Sequence, residues 1–534
     1  MTAPRAAAQA LAPFAAPALP AWLRAVPGLC ALGCVLGTSV LAFAALAVHG
    51  TAAAGLRVFD DTWFWQVLRF SLWQALLSAV LAVGLALPVA RAVALDPALP
   101  GRGAFLRLCL LAFVMPSLVL ITGLVVVFGR SGWLTPWLGE GWNLYGLTGI
   151  LIAHVYLNLP FALRVLCFRW QTIPPSAWKL AAQLGLGGWR RFVYLEWPAL
   201  RAVLPGVFGF VFLLCFNSFA VVLALGGGPR ATTLEVAIYQ ALKFDFNPSE
   251  AMVLALTQLL VAGSLYLAHS RWSGLQWLAP ARGPQAWRMA PGPLARWSGR
   301  LAYGACATFL LLPIVALVPT ALGGRLEALP WAGLLAAAGR SLALATAATL
   351  LALGLALAAL SLWRQWPQAG RRQVVEWIAQ HQLVIPGMVL SVGVYVLLMP
   401  VLDWRRWGLA AVVLLNALVA LPFVFQQLRP RLFDFDAQYR RLVADLGLGP
   451  WARWRWVLGP FLRPALRRVA AIACVLALGD FAIFGIFGDA SMRTLPWMIH
   501  ALAGGYRLAD AAMASLLLLI LAAATLAVLE YERA

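Results

Sequence analysis

Eight polar side chains interrupt stretches of sequence that are otherwise apolar: Gln74, His154, Asn158, Asn217, Ser218, Arg340, Asn416 and Asp480. If those stretches lie in lipid, a charged group at mid-depth costs roughly 2.5 to 3.5 kcal/mol even on a lenient insertion scale, so such residues face protein or a water-filled cavity. Their chemistry is that of holding or passing a polar solute. Asp480 is the sharpest case, and with Ser218 and Asn217 it forms the candidate substrate pathway. The competing reading of Asp480 is a carboxylate bonded to a neighbouring arginine or to the amides of a broken helix. No catalytic constellation accompanies these residues. A phosphate-binding loop needs a glycine turn followed by lysine, and the chain contains no Gly-Lys dipeptide, while LGGGP at 225–229 reads as a turn where a helix leaves the membrane. The chain therefore does not hydrolyse nucleotide itself. The seven cysteines lie in or beside apolar stretches without a CxxC pair and read as small buried hydrophobes rather than metal ligands.

The elements that position these residues follow from composition. With 63% hydrophobic and 11% charged residues in 534, the chain carries more apolar side chain than a soluble core buries, which makes it an integral membrane protein. A crossing helix needs about 20 mostly apolar residues. About twelve stretches qualify, near 28–49, 68–93, 104–129, 144–167, 202–226, 249–269, 300–322, 334–362, 376–400, 407–427, 466–488 and 509–529. The fold class is all-α and polytopic. The net charge of +21 is almost all arginine, concentrated in the segments that are cytoplasmic if both termini are, so the basicity records topology and not nucleic-acid binding. The start of the chain, broken by prolines, reads as a cytoplasmic tail over 1–27 before an uncleaved first helix.

Internal repetition sets the architecture. HVYLNLPF (154–161) aligns with NALVALPF (416–423) and FNSFA (216–220) with LGDFA (478–482), each 262 positions apart, while Ser71, Gly84 and Pro116 match Ser341, Gly354 and Pro386 at a separation of 270. Two homologous halves of about six helices result, 28–270 and 300–534, joined by a Pro/Gly/Arg-rich cytoplasmic linker over 271–299. An even number of spans gives both halves one orientation, related by an axis along the membrane normal, with a shared pathway at their interface. The expected function is transport.

Each half also carries a segment that cannot span: LAAQLGLGGWRRFVYLEWP (180–198) and LVADLGLGPWARWRWVLGP (442–460). The first is expected to be a short helix capped at Ser176, a glycine turn, and a second short helix ending near Pro198. One copy reads as an interfacial anchor, whereas two copies suit a two-fold symmetric partner. The pattern resembles the EAA loop of binding-protein-dependent ABC importer permeases, at 176–198 and 438–460. On this resemblance Ala181, Ala182, Gly185, Phe192 and Pro198 in one loop, and Val443, Ala444, Gly447, Trp454 and Pro460 in the other, occupy the motif that docks a coupling helix into an ATP-binding subunit. The motif's acidic position holds Lys179 and Arg441 instead.

Over most of its length the sequence resembles the fused two-domain permeases of bacterial thiamine importers, through FSLWQALLSA (70–79), GRSGWL (129–134), AHVYLNLP (153–160), LGGGPRATTLEVAIYQAL (225–242), GDF (479–481) and RTLP (493–496). The resemblance implies two type I ABC importer permease halves in the bacterial inner membrane that carry thiamine, with or without its phosphate esters, from periplasm to cytoplasm. It also implies an ATPase dimer that uses ATP and Mg, a periplasmic thiamine-binding protein received at loops near 227–248 and 489–508, and no cofactor bound by this chain. Lys243, Asp245, Glu250 and Arg230 are the charged candidates in the first of those loops. Two other readings are a ferric-iron permease of the same plan and an ion-coupled secondary transporter.

Overall fold

The computed structural model describes residues 21–530 except 51–56, 273–291 and the short gaps 325–326, 328, 367, 384, 386, 399–400 and 489–491. Most of the linker, the first twenty residues and Pro386 thus lie outside the described residues. The N-terminal half contains α1 (Ala21–Gly50), α2 (Thr62–Leu95), α3 (Arg102–Val114), α4 (Ser117–Phe128), α5 (Leu147–Gln171), α6 (Pro175–Gln183), α7 (Gly188–Arg191), α8 (Trp197–Arg201), α9 (Leu204–Phe216), α10 (Ala220–Leu225), α11 (Leu234–Lys243) and α12 (Pro248–Trp272). The C-terminal half contains α13 (Pro293–Leu322), α14 (Trp331–Gln365), α15 (Ala369–Gln380), α16 (Gly387–Leu398), α17 (Trp404–Asp445), α18 (Pro450–Arg453), α19 (Gly459–Leu478), α20 (Ala482–Phe487), α21 (Leu495–Gly504) and α22 (Leu508–Glu530). The described residues form no strand, and the all-α polytopic class holds.

Eight of these helices are long and apolar enough to cross a bilayer, and two bent pairs raise the number to ten. The bent pairs are α3 with α4, turned by 106° at Met115 and Pro116, and Gly188–Arg201 with α9, turned by 54°. Four of the twelve expected stretches are thus not single helices: 104–129 is the bent pair α3 and α4, and 202–226 divides into α9 and α10. The 376–400 stretch divides into α15 and α16, and in the 466–488 stretch α19, whose first half carries Arg463, Arg467 and Arg468, stops at Leu478 before the short α20.

The first helix of each half packs on the other half. Helix α1 lies on α14 and α16, and α13 lies on α4 and α2 as well as on α22 of its own half. The contact depends on absent side chains at two matching glycines. A Cβ on Gly123 of α4 would lie 2.7 Å from the Pro313 carbonyl of α13, and one on Gly393 of α16 would lie 2.6 Å from the Ala42 carbonyl of α1. Small residues that let helix backbones touch are the usual basis of association in lipid, where no hydrophobic drive separates helices from the solvent.

Candidate functional site

The two loop segments adopt one geometry in both halves. Gly185 and Gly447 take left-handed backbone angles, φ 63° and 57°, which a side chain disfavours. After each turn a short helix leads into a π-helical turn, Phe192–Glu196 in one loop and Trp454–Leu458 in the other, again 262 positions apart. Ala181 and Val443 are buried and fix the first helix of each loop to the bundle, while Gly185, Gly447, Pro198, Pro460 and Trp454 are exposed; Ala182 and Phe192 are half-buried. The side chain of Ala444 is outside the described residues. Exposed apolar side chains recur in register: Leu180 with Leu442, Leu184 with Leu446, Trp189 with Trp451 and Tyr194 with Trp456. Trp189 and Trp451 are each 75% exposed, which gives two equivalent apolar surfaces, one in each half.

Local sequence accounts for one difference between the loops. Pro174-Pro175 ends the helical run of α5 and begins α6 at Pro175, so Ser176 lies within the first turn and is not its cap, contrary to expectation. The matching positions in the second half are Asp436 and Ala437, and there α17 runs on unbroken for 42 residues, through Pro422 and Pro430, to Asp445.

The ion pair that holds the first loop was not apparent in the sequence, where the motif's acidic position is basic. It is supplied by Glu196, fully buried in the π turn. Its carboxylate accepts from Arg91 Nε at 2.7 Å and Nη2 at 2.9 Å, from Arg191 Nε at 3.1 Å and from Trp170 Nε1 at 3.0 Å. Phe192 adds a ring face 5.9 Å from the Arg91 guanidinium. The cluster ties the loop to the ends of α2 and α5. In the second loop Leu458 stands where Glu196 would, and it is the helix leading into the loop that is held by ion pairs: Arg364 of α14 pairs with Asp436 of α17, its Nε donating to Oδ2 at 2.9 Å, and Arg429 of α17 pairs with Glu376. Burial, together with the nearby Arg364 guanidinium, holds Arg453 of this loop below the usual arginine range, with Asp436 pulling the other way.

The pathway candidates sit at a second duplicated feature, a break in the helix that follows each loop. Helix α9 ends at Phe216 and α10 begins at Ala220; α19 ends at Leu478 and α20 begins at Ala482. Irregular backbone at membrane depth is tolerated where it is enclosed by protein or lines a cavity, and such breaks are where transporters place binding groups. Asp480 accepts from the amides of Ile483 at 3.1 Å and Phe484 at 3.2 Å and from Asn416 Nδ2 at 3.1 Å. Its hydrogen bonds are therefore those of the broken-helix amides, with Asn416 in the place considered for an arginine. The same carboxylate lines a small pocket of about 10 Å³, room for about one water molecule, shared with Ser341, Asn416 and Thr494. Asn217 and Ser218 are half-buried, and Asn217 Oδ1 accepts from Gln258 Nε2 at 3.3 Å.

Gln258 leads to a residue the sequence reading missed. Its Nε2 also donates to Glu235 of α11 at 3.1 Å, so the first half holds a buried carboxylate as well, on a short helix that folds back into the bundle. The segment around Glu235 was read as part of a periplasmic loop, and hydropathy alone gives no sign of its burial. The capping of α11 and α21 repeats too: Ser71 Oγ accepts from the Leu234 amide at 3.0 Å and Ser341 Oγ from the Leu495 amide at 2.9 Å. Among the other polar candidates, His154 Nδ1 meets Ser78 Oγ at 3.0 Å, Gln74 donates to the Cys215 carbonyl, and Arg340 donates to the Arg493 carbonyl. Lys243, a candidate for a binding-protein contact, reaches the other half here, donating to the Ile486 carbonyl at 2.8 Å with its ammonium 5.3 Å from the Tyr395 ring.

Where the halves meet, the residues after the two breaks touch. Phe219 and Phe481, equivalent positions, stack with ring centroids 6.0 Å apart and planes 16° from parallel. Tyr239 packs edge-on against Phe219 at 5.1 Å, and His500 lies against Phe481 at 4.8 Å.

No family model matches the chain. It is 40% identical over 518 residues, 95% of each protein, to the thiamine transport system permease protein ThiP of Salmonella typhimurium, and 38% identical over 520 residues, again 95% of each, to that of Escherichia coli. The protein of the same name from Haemophilus influenzae is 36% identical over 87% of this chain and 88% of its own. A putative ferric transport system permease of that organism is 24% identical over 41% of this chain. The matching plan of loops, breaks and crossed first helices is therefore spread along a chain that aligns end to end with these proteins, and the chain belongs to the family of thiamine transport system permeases.

Proposed function

We infer that this chain is the membrane-spanning subunit of an ATP-driven importer of thiamine, with two permease halves in the inner membrane and both termini in the cytoplasm. The observation that carries the coupling is the duplicated loop: two exposed apolar surfaces of one geometry, the first tied by buried ion pairs to long helices and the second continuing a long helix that ion pairs hold. A two-fold partner such as an ATPase dimer engages both surfaces at once. Its closure moves the loops toward each other, and because Glu196 binds its loop to α2 and α5, the movement passes to helices that cross the membrane. The substrate assignment rests on the end-to-end likeness to thiamine permeases; the ferric relative is matched over less than half of the chain.

On this reading a periplasmic binding protein delivers thiamine to the face where the segments at 227–248 and 489–508 lie, and ATP and Mg act only in the partner. The chain itself catalyses no reaction. Its work is to hold two conformations and expose Asn217, Ser218 and Asp480 to one side and then the other. The test is uptake of labelled thiamine by cells lacking their own thiamine transport, with this chain expressed beside its ATPase and binding protein. Uptake that disappears when the ATPase's phosphate-binding lysine is replaced is the expected result. Uptake of ferric iron instead overturns the substrate, and uptake without the ATPase overturns the coupling.

A further inference from the structure

We propose that the ring stack between the halves is a substrate site: Phe219 and Phe481 part to admit an aromatic cation between their faces, with Tyr239 and His500 as side walls and the carboxylates Asp480 and Glu235 as counter-charges. The inference rests on the thiamine reading and specifies where such a solute is held. Four observations support it.

The four rings are two equivalent pairs. Phe219 and Phe481 each follow a helix break at matching positions, and Tyr239 and His500 occupy matching positions on α11 and α21. A site on the axis between halves is reached from either side as the halves rock. The central rings lie nearly parallel with centroids 6.0 Å apart. Since carbon atoms in contact sit about 3.5 Å apart, a third flat ring between them needs faces about 7 Å apart, so the two rings must move apart by up to about one ring thickness to admit it. Ring faces carry negative charge density, which attracts a cation. Phe219 and Phe481 are 4% and 5% exposed, so in this conformation they cover each other and the site is shut.

A carboxyl group lies beside the rings in each half. Asp480 directly precedes Phe481, and Glu235 lies one helical turn before Tyr239, on the same face of α11. The nearest cation of that helix, Lys243, is engaged with the Ile486 carbonyl and the Tyr395 ring across the interface. Polar atoms at this level also lack partners. Gln258 Oε1, on the side chain that joins Glu235 to Asn217, and Thr494 Oγ1, in the cavity beside Asp480, are buried without a hydrogen bond. Such groups are satisfied by water or by the donors of a bound solute.

The experiment uses the full chain with its ATPase and binding protein in proteoliposomes, with labelled thiamine as the probe and uptake scaled to the amount of assembled complex. Phe219→Leu and Phe481→Leu keep an apolar side chain of similar reach without a ring, and Phe481→Tyr keeps the ring. Loss of uptake by tenfold or more in either leucine variant, with the tyrosine variant within threefold of the unchanged chain, is the expected result. A photoreactive benzoylphenylalanine in place of Tyr239 is expected to capture labelled thiamine during turnover, and excess unlabelled thiamine to prevent the capture. Leucine variants that transport within threefold of the unchanged chain, or an absence of competed capture, overturn the site while leaving the importer reading in place. No thiamine uptake by the unchanged complex overturns both.

Discussion

Replacing Glu196 tests whether the first loop transmits force. The carboxylate is fully buried and accepts four hydrogen bonds, two from Arg91, one from Arg191 and one from Trp170. In Glu196→Gln the side chain keeps its shape but loses its charge, leaving two guanidiniums side by side, and the Arg191 side chain is only 3% exposed. Removing one partner of a buried ion pair costs about 3 to 5 kcal/mol; because Arg91 is 23% exposed and retains some water, the lower end applies. At about 1.4 kcal/mol per factor of ten, 3 kcal/mol moves the docked-to-undocked balance of the loop by roughly two orders of magnitude. Two readouts follow. Trypsin added to the isolated chain in detergent is expected to cut at Arg190 and Arg191 about a hundredfold faster in the variant. In the assembled complex ATP hydrolysis continues while thiamine taken up per ATP falls. A variant cut at the unchanged rate and transporting with unchanged yield refutes the claim that this cluster fixes the loop.

Trp189→Glu and Trp451→Glu, at exposed positions with no core to disturb, are each expected to prevent co-purification of the ATPase while leaving the thermal stability of the chain within about 0.5 kcal/mol. Gly393→Val places a side chain where a Cβ already lies 2.6 Å from the Ala42 carbonyl, and is expected to lower stability in detergent by about 1 to 3 kcal/mol, read as the unfolding midpoint of the purified chain. Gly447→Ala puts a side chain on a left-handed residue at a cost of about 1 kcal/mol, seen as weaker ATPase binding without loss of the bundle. Asp480→Asn removes the charge that faces the cavity but keeps an oxygen for the Ile483 amide; thiamine uptake is expected to fall, and unchanged uptake by a normally assembled complex would confine Asp480 to capping α20.

Membrane class, the two segments that cannot span and the internal repeat are all legible in the letters of the chain. These are properties of composition and spacing. Bilayer thickness translates directly into runs of apolar residues, and a duplicated segment announces itself by its own identity at a constant separation. Even the unequal course of the two loops was present in the letters, as Pro174-Pro175 against Asp436-Ala437.

Contacts between residues far apart in the chain are set only by the folded arrangement. Glu196, Arg91 and Trp170 are scattered over about a hundred positions and carry no local pattern that marks them as one cluster. Glu235 looked like a loop carboxylate because a short helix turned back into the bundle has too few apolar residues to register as membrane-embedded. The helix breaks at Asn217–Phe219 and Gly479–Phe481 lie within stretches apolar enough overall to read as single spans. The stack between these two rings depends on how the halves are set against each other, and so on the crossed first helices and on Gly123 and Gly393, whose missing side chains let the backbones approach. Periodicity and spacing describe a helix in its own frame; the relative placement of helices is set by the fit of their surfaces, which no single stretch of sequence contains.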